Sequence, residues 1–308
     1  MTTGKFSRRS ALGAGFSSLL LPHVAWPQES ERQVEGGIGG TGIVGVVTEL
    51  GDLVVSGNRV QTDSSTEFSD AFGRLAASDI RLGDSLTVEA DGPADALRAR
   101  RVHVTTPLVG RVYTASTPDR RMTVNGVDVL LPPGLPLPEV GTRVAVSGLW
   151  RGASVVASRI SPARRELDVV SGDVARAGSR VTIGTVTARG RGVAGLVSGG
   201  FARAVGLFAP DQGVIRASEL ATARFIGAAG PLAWLSIEGY LTPAPRAPGY
   251  RIAGLGHSFE RTLDLRLYAD ARVLFNGRYT GRFAAQSAVI LPEAEAQRRQ
   301  LLRQIANG

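Results

Sequence analysis

The chain has 308 residues, of which 43% are hydrophobic and 20% charged, values typical of a folded protein rather than a disordered one. It contains no cysteine, which excludes disulfide bonds, thiolate metal sites and cysteine nucleophiles. The formal net charge of +8 falls to +5 without the first 25 residues, which contain Lys5, Arg8 and Arg9 and no acid. Because the remaining arginines are interspersed with acids, no nucleic-acid partner is expected.

The N-terminus has the pattern of an export signal. Arg8 and Arg9 precede an apolar stretch that is too short to span a bilayer as a helix, and no later segment is long and apolar enough to do so. The arginine pair resembles a twin-arginine signal, so residues 1–25 are predicted to be a signal peptide bound by the twin-arginine export machinery. We expect a periplasmic or secreted protein, with cleavage after Ala25 and a flexible, glycine-rich lead-in over residues 26–40.

A five-residue pattern with a central glycine recurs four times along the rest of the chain. An aliphatic residue lies two positions before each glycine and a valine or leucine two positions after it, and the glycines are Gly45, Gly110, Gly172 and Gly239. Their separations of 65, 62 and 67 residues predict four copies of one small unit laid end to end. Units of this size have marginal cores, so neighbouring copies are expected to pack on one another.

The copies have the features of short strands and tight turns. Alternation of Leu86 and Val88 predicts a half-buried strand, and Asn125-Gly126 predicts a two-residue hairpin turn. Five or so short strands in about 60 residues predict a small closed Greek-key barrel like the OB-fold, with an open sandwich as the alternative. The predicted fold class is therefore all-β: tandem, small, five- to six-stranded OB-like Greek-key barrels with a short C-terminal helix.

The recurring features also set the expected boundaries. The predicted barrels span residues 41–105, 106–163, 167–224 and 231–291, and the third copy is degenerate. Residues 293–306 are predicted to form a helix, because acids lie in its first turn and arginines towards its end. Leu301, Leu302 and Ile305 form a short apolar stripe, which would dock on the last barrel or bind a partner helix.

Together with the glycines of the lead-in, these repeated features resemble the bacterial family catalogued as domain of unknown function 5666. The resemblance covers roughly residues 38–291 and is clearest in the first two copies. It implies exported tandem OB-like barrels. It implies no activity, because the family has no established reaction and no catalytic residues to carry over.

Motifs that could carry chemistry lack the structural context that the chemistry needs. The glycine-rich run at residues 37–42 follows a polar tail and precedes a strand, whereas a dinucleotide loop follows a strand and opens a helix. Residues 256–260 resemble a nucleophile elbow, but Glu260 replaces its last glycine. His103 and His257 lie in different copies, and His103 is expected on the wetter face of its strand. No catalytic residue, cofactor or metal site is therefore predicted.

Ligand contacts are expected on a barrel surface. OB-like barrels commonly bind oligonucleotides or oligosaccharides through aromatic and basic side chains. Aromatic residues are scarce here and most are expected to fill cores. Trp150 and Arg151 are the candidate ligand contacts, because a strand predicted to end near Gly148 would place them in an exposed loop before Gly152.

The expected function is that of an exported, non-enzymatic binding or assembly module of the cell envelope, with an envelope protein or a polysaccharide as its partner. The alternatives are a structural spacer or scaffold without a ligand of its own, and an enzyme of unrecognised mechanism. Binding predicts an aromatic and basic cleft, and a scaffold predicts an even polar surface. An enzyme predicts polar residues that converge in a pocket with perturbed ionisation.

Overall fold

The structure is a computed structural model that describes residues 39–243, 250–252, 259–260 and 263–307. The predicted signal peptide with Arg8 and Arg9, most of the lead-in, and His257 lie outside the described residues. Within the described ranges the chain consists of β-strands, short 3-10 turns and one α-helix, α1 (Glu295–Asn307). The prediction of an all-β protein with a short C-terminal helix is confirmed.

The strands form four consecutive groups, which we call barrels 1 to 4. Barrel 1 contains β1 (Gly40–Glu49), β2 (Leu53–Val55), β3 (Asn58–Gln61), β4 (Glu67–Asp70), β5 (Gly73–Arg74), β6 (Ser85–Asp91) and β7 (Leu97–Val104). Barrel 2 contains β8 (Leu108–Ser116), β9 (Arg121–Val124), β10 (Val127–Leu130), β11 (Arg143–Arg151) and β12 (Ser154–Pro162). Barrel 3 contains β13 (Asp168–Ala177), β14 (Arg180–Ile183), β15 (Val186–Gly190), β16 (Phe201–Ala209) and β17 (Val214–Ala221). Barrel 4 contains β18 (Leu232–Pro243), β19 (Tyr250–Ile252), β20 (Phe259–Glu260), β21 (Arg272–Tyr279) and β22 (Phe283–Ile290).

Strand pairing closes barrels 1, 2 and 3 into rings. In barrel 2, β8 pairs with β9, β9 with β10, β10 in parallel with β12, β12 with β11, and β11 again with β8. Barrel 1 has the same order through β1, β2, β3, β7 and β6. Barrel 3 has it through β13, β14, β15, β17 and β16. Ring closure satisfies strand edges that would otherwise be open to association. Assignment of these rings to the OB fold stays a prediction.

The first strands of the barrels also join the barrels in pairs. Strand β1 pairs in parallel with β18, with Val44 opposite Ile237, so barrels 1 and 4 share one 12-stranded sheet. Strand β8 pairs antiparallel with β13, with Val109 opposite Val169, so barrels 2 and 3 share a 10-stranded sheet. The first copy therefore contacts the last copy, an arrangement that the order of the copies along the chain does not reveal.

A buried ion pair lies where barrel 1 meets barrel 4. The Glu238 carboxylate accepts from Arg272 Nε at 2.7 Å, from Ser56 Oγ at 2.5 Å and from the Val46 amide at 3.0 Å. Burial alone would raise the pKa of Glu238, but the Arg272 cation and the hydrogen bonds from Ser56 and Val46 outweigh it and lower the pKa. The carboxylate thus stays charged and ties a turn of barrel 1 to the first strand of barrel 4.

In barrels 1 to 3 the recurring glycine lies beneath the hairpin turn of its own barrel. Gly110 is on β8, where a β-carbon would overlap the side-chain amide of Asn125, the first residue of the turn between β9 and β10. Gly45 is related in the same way to Ser56 in barrel 1. Asn125 has a φ of 50° and Gly126 a φ of 73°, as a two-residue hairpin turn requires, so the predicted turn is confirmed. In these barrels the turn folds back onto the first strand, which leaves room only for glycine there, whereas Gly239 of barrel 4 lies against Ile252 of β19.

Gly110→Val should destabilise the protein by about 1 to 3 kcal/mol, because the added atoms would displace the buried Asn125 from its hydrogen bonds to the Val109 and Val169 carbonyls. Gly195→Val is the matched control, since Gly195 has an ordinary φ and no atom within 4 Å of an added β-carbon. Denaturant melts of both variants check the prediction. Equal losses of stability in the two variants would show that the contact of Gly110 with Asn125 does not require a glycine.

The C-terminal helix packs against two barrels. Leu302 of α1 is buried with Leu274 and Leu291 of barrel 4. On barrel 1, Arg303 pairs with Glu49 at 2.5 Å and Asn307 accepts from Arg59 at 2.9 Å. Docking on the last barrel is therefore observed, and α1 also joins that barrel to the first. No helix in the described ranges is long and apolar enough to cross a membrane.

Candidate functional site

Trp150 is not in an exposed loop, and that expectation is wrong. The side chain is 4% exposed and lies on β11, which continues to Arg151. The register shifts between Ser147 and Gly148, so the glycine that was predicted to end the strand instead forms a bulge within it. Trp150 crosses from barrel 2 to barrel 3, where its ring packs on Gly172 and Gly184 and its Nε1 donates to the Ser171 carbonyl at 2.8 Å.

Arg151 is exposed, as predicted, but it lies against a neighbouring barrel. Its guanidinium carbon lies 5.3 Å from the centre of the Tyr240 ring. Tyr240 is 1% exposed, and its hydroxyl donates to Glu293. Burial, with Glu293 close by, raises the pKa of Tyr240 to about 12. Trp150 and Arg151 therefore point in different directions and do not form one contact surface.

His103 is also buried, contrary to the expectation that it lies on the wetter strand face. It is 5% exposed because barrel 3 packs over β7. Arg203 Nη1 lies 2.5 Å from Nε2 and Ser69 Oγ lies 2.9 Å from Nδ1. Arginine can only donate, so Nε2 accepts and the neutral ring carries its proton on Nδ1. Burial and the cations of Arg203, Arg101 and Arg224 lower the pKa of His103 to about 2, which removes it as a proton carrier near neutral pH.

An open depression lined by charges of a single sign is a groove on barrel 3. It has a volume of about 490 Å³, and Val181, Ala188 and Val214 are the apolar residues of its lining. Two arginines, Arg180 and Arg189, lie along it. No acidic residue among those that the structure describes lines it. We call this the barrel 3 groove.

The loops around the groove supply its remaining polar groups. Ser179 comes from the turn between β13 and β14, and Gln212 from the 3-10 turn Pro210–Gln212 between β16 and β17. Thr187 lies on β15 and accepts from Arg180 Nε at 2.9 Å. The groove is thus formed by the second and third strands of the ring together with its first and last loops.

The arginines on this face form a row across three strands. Arg189 on β15 lies directly opposite Arg216 on β17. Strand β14 pairs with β15 through Thr182 opposite Thr187, and Arg180, two residues before Thr182, lies close enough to β15 for its Nε to donate to the Thr187 hydroxyl. All three side chains are exposed. Within the part of the chain that the structure describes, none of them forms an ion pair with a carboxylate. We call Arg180, Arg189 and Arg216 the arginine row.

The equivalent hairpins of barrels 1 and 2 are electrically balanced. In barrel 1, Asp52 pairs with Arg59 at 3.2 Å across the hairpin, and in barrel 2, Arg121 pairs with Asp128 at 3.4 Å. When the residues are counted from the hairpin turn, Arg180 of barrel 3 is equivalent to Arg121 of barrel 2. Thr187 is equivalent to Asp128 in the same way. Barrel 3 therefore keeps the cation and lacks the acid.

A second cleft, of about 210 Å³, lies between barrels 1 and 2. Four of its charged side chains form ion pairs that join the two barrels. Arg159 contacts Asp84 at 2.8 Å, and Arg164 contacts Asp70 at 2.8 Å. Asp79 and Arg81 also line the cleft and bond to backbone groups, so the cleft carries both signs of charge, unlike the barrel 3 groove. Among the described residues no cluster of three histidines or carboxylates could hold a metal ion.

Comparison with known proteins identifies a domain family in the first barrel. Residues 41–103 match the family described as Domain of unknown function (DUF5666). The match spans β1 to β7, so the resemblance seen in the sequence is confirmed for barrel 1. No curated protein and no solved structure matches the chain significantly. The DUF5666 match supplies no activity, and the groove lies on another barrel.

The arginine row is not among the residues predicted from the sequence. Its signal in the sequence is that the position of Leu130 in barrel 2 is Arg189 in barrel 3 when the copies are aligned on their hairpin turns. The third copy is predicted to be degenerate because its fourth-strand pattern is weak. Its strand order is nevertheless that of barrels 1 and 2, and its differences in sequence create the groove.

Proposed function

We propose that the protein is an exported, non-enzymatic binding module of the cell envelope, which binds an anionic ligand in the barrel 3 groove. The arginine row carries this proposal. Like charges directly opposite one another destabilise a sheet, and no carboxylate offsets the pair of Arg189 and Arg216. A bound anion would remove that repulsion and form charge-assisted hydrogen bonds.

The position of the groove supports the proposal. If barrel 3 is an OB-like barrel, the groove occupies the face of its second and third strands, flanked by the first and last loops, where such barrels bind their ligands. Barrel 1 cannot use the same face in this way, because α1 lies against its hairpin turn at Gly57. The basic hairpin of barrel 3, formed by β14 and β15, is not covered by α1 and is exposed to solvent.

A scaffold without its own ligand is the second candidate. The burial of Trp150 favours it, because the strongest aromatic candidate for ligand contact joins two barrels instead. The barrels would then form a rigid body that presents other envelope factors. The two proposals predict different results when the arginine row is substituted. A binding module should lose affinity for its anionic ligand, whereas a scaffold has no ligand of its own to lose.

Binding of the purified protein to dextran sulfate and to uncharged dextran tests the binding function. Dextran sulfate should bind and dextran should not. Arg180→Gln/Arg189→Gln should weaken binding at least tenfold, about the loss of 1.4 kcal/mol expected for charge-assisted contacts. Arg111→Gln/Arg121→Gln is the matched control, because it removes two exposed arginines from barrel 2 and changes the net charge equally. Equal weakening by both double variants would show that only overall charge matters, and would favour the scaffold.

Export through the twin-arginine route is tested separately. Arg8→Lys/Arg9→Lys keeps the charge but should block export, because the receptor for such signals reads the arginine pair. The measurement is the amount of protein in the periplasmic fraction of cells that produce each form. Normal periplasmic levels of the double variant would refute the twin-arginine route and leave general secretion as the alternative.

A further inference from the structure

We infer that the ligand of the barrel 3 groove is an acidic polysaccharide chain that crosses strands β14, β15 and β17. The inference rests on the proposed function, since it specifies the anionic ligand of the same groove. It excludes two other anions, a small ion bound at one arginine and a single-stranded nucleic acid.

The charge of the arginine row favours a polymer. Arg189 and Arg216 lie opposite one another on neighbouring strands, and Arg180 lies on the strand on the other side of β15. A single carboxylate neutralises only one of these three cations. A chain that carries a charge on successive units can meet them one after another, in the direction perpendicular to the strands.

The uncharged groups of the groove indicate a ligand rich in hydroxyl groups. Ser179, Thr187 and Gln212 offer hydroxyl and amide groups close to the arginines. Gln212 already accepts from Arg216 Nη2 at 3.3 Å, so its amide nitrogen is free to donate to a ligand. Sugar hydroxyls both donate and accept, which matches this mixture of groups.

The lining also argues against nucleic acid. Proteins that bind single strands without base pairing use aromatic side chains on which the bases stack. The apolar residues of the lining are Val181, Ala188 and Val214, and no aromatic residue in the described ranges lines the groove. The groove therefore offers charge, hydroxyl and amide groups, and it has no aromatic platform for a base or for the face of a sugar ring.

The test compares four probes by calorimetric titration of the full-length protein. These are polygalacturonate, its fully methyl-esterified form, monomeric galacturonate and oligothymidylate. Polygalacturonate should bind most tightly. The methyl ester keeps the chain and removes the charge, so it should bind at least tenfold more weakly, as should the monomer, which lacks repeated charge. Arg216→Gln should weaken polygalacturonate binding several-fold, and Arg121→Gln in barrel 2 should leave it unchanged.

The outcomes separate this inference from the proposed function. If the binding of dextran sulfate depends on Arg180 and Arg189 but polygalacturonate does not bind, the groove binds anions. The inference that its ligand is an acidic polysaccharide is then wrong. Monomeric galacturonate binding as tightly as the polymer, or oligothymidylate binding more tightly than polygalacturonate, would also overturn the inference alone. If no polyanion responds to substitutions in the arginine row, both the inference and the proposed function fail.

Discussion

Trp150→Ala should lower the free energy of unfolding by about 3 to 5 kcal/mol, the range for removal of a buried large aromatic side chain. The ring is 4% exposed and belongs to the hydrophobic core that runs through barrels 2 and 3. Its removal would leave a cavity against Gly172 and Gly184, where no other side chain can fill the space. Denaturant unfolding of the variant and of the parent protein measures the loss.

Arg151→Ala is the control for this prediction, because Arg151 is the exposed neighbour of Trp150 on the same strand. It should change stability by well under about 1 kcal/mol, as surface substitutions usually do. Binding of dextran sulfate by Trp150→Ala should be unchanged under conditions in which the variant remains folded. A variant that melts like the parent protein but binds the polymer weakly would instead restore Trp150 as a ligand contact.

Glu238→Gln should also destabilise the protein by about 3 to 5 kcal/mol, because it leaves the cation of Arg272 buried without a counter-charge. The Glu238 side chain is 0% exposed and that of Arg272 is 2% exposed, so water cannot compensate for the lost carboxylate. The glutamine can still accept from the Val46 amide, which limits the change to the ion pair. Thermal or denaturant melts measure the effect.

A double variant and a surface pair provide the controls. Arg272→Met added to Glu238→Gln removes the unpaired cation, so the double variant should be more stable than Glu238→Gln alone. Asp52→Asn breaks the exposed pair with Arg59, which is 38% exposed, and should cost less than about 1 kcal/mol. If Glu238→Gln costs no more than Asp52→Asn, the buried charge of Glu238 does not stabilise the protein.

The features that the sequence predicted correctly depend on neighbouring residues. Asn125-Gly126 forms its turn because both residues adopt positive φ at low cost, and this preference does not depend on the rest of the fold. The all-β character follows from alternating apolar residues such as Leu86 and Val88, which are both buried. The recurring glycine marks a close approach in each copy, although the sequence could not show that Gly45 and Gly110 face the side chain of a turn residue.

The errors concern residues whose environment comes from a distant part of the chain. His103 alternates with Val102 and Val104, a pattern typical of an outward-facing residue in an isolated strand. Barrel 3 covers that outward face, and Arg203 binds the ring from 100 positions away in the sequence. Trp150 was misplaced for a similar reason, since a glycine bulge and a strand end have the same local pattern.

The sequence by itself determined the repeating unit, its β-structure, its turns and the absence of cysteine chemistry, because each of these depends on composition or on residues close along the chain. The tertiary structure decided that barrel 1 pairs with barrel 4 and barrel 2 with barrel 3. It also decided that barrel 3 keeps its basic hairpin open. Strand pairing between copies and the burial of one surface by another are made by contacts between distant residues, which the periodicity of a single copy does not record.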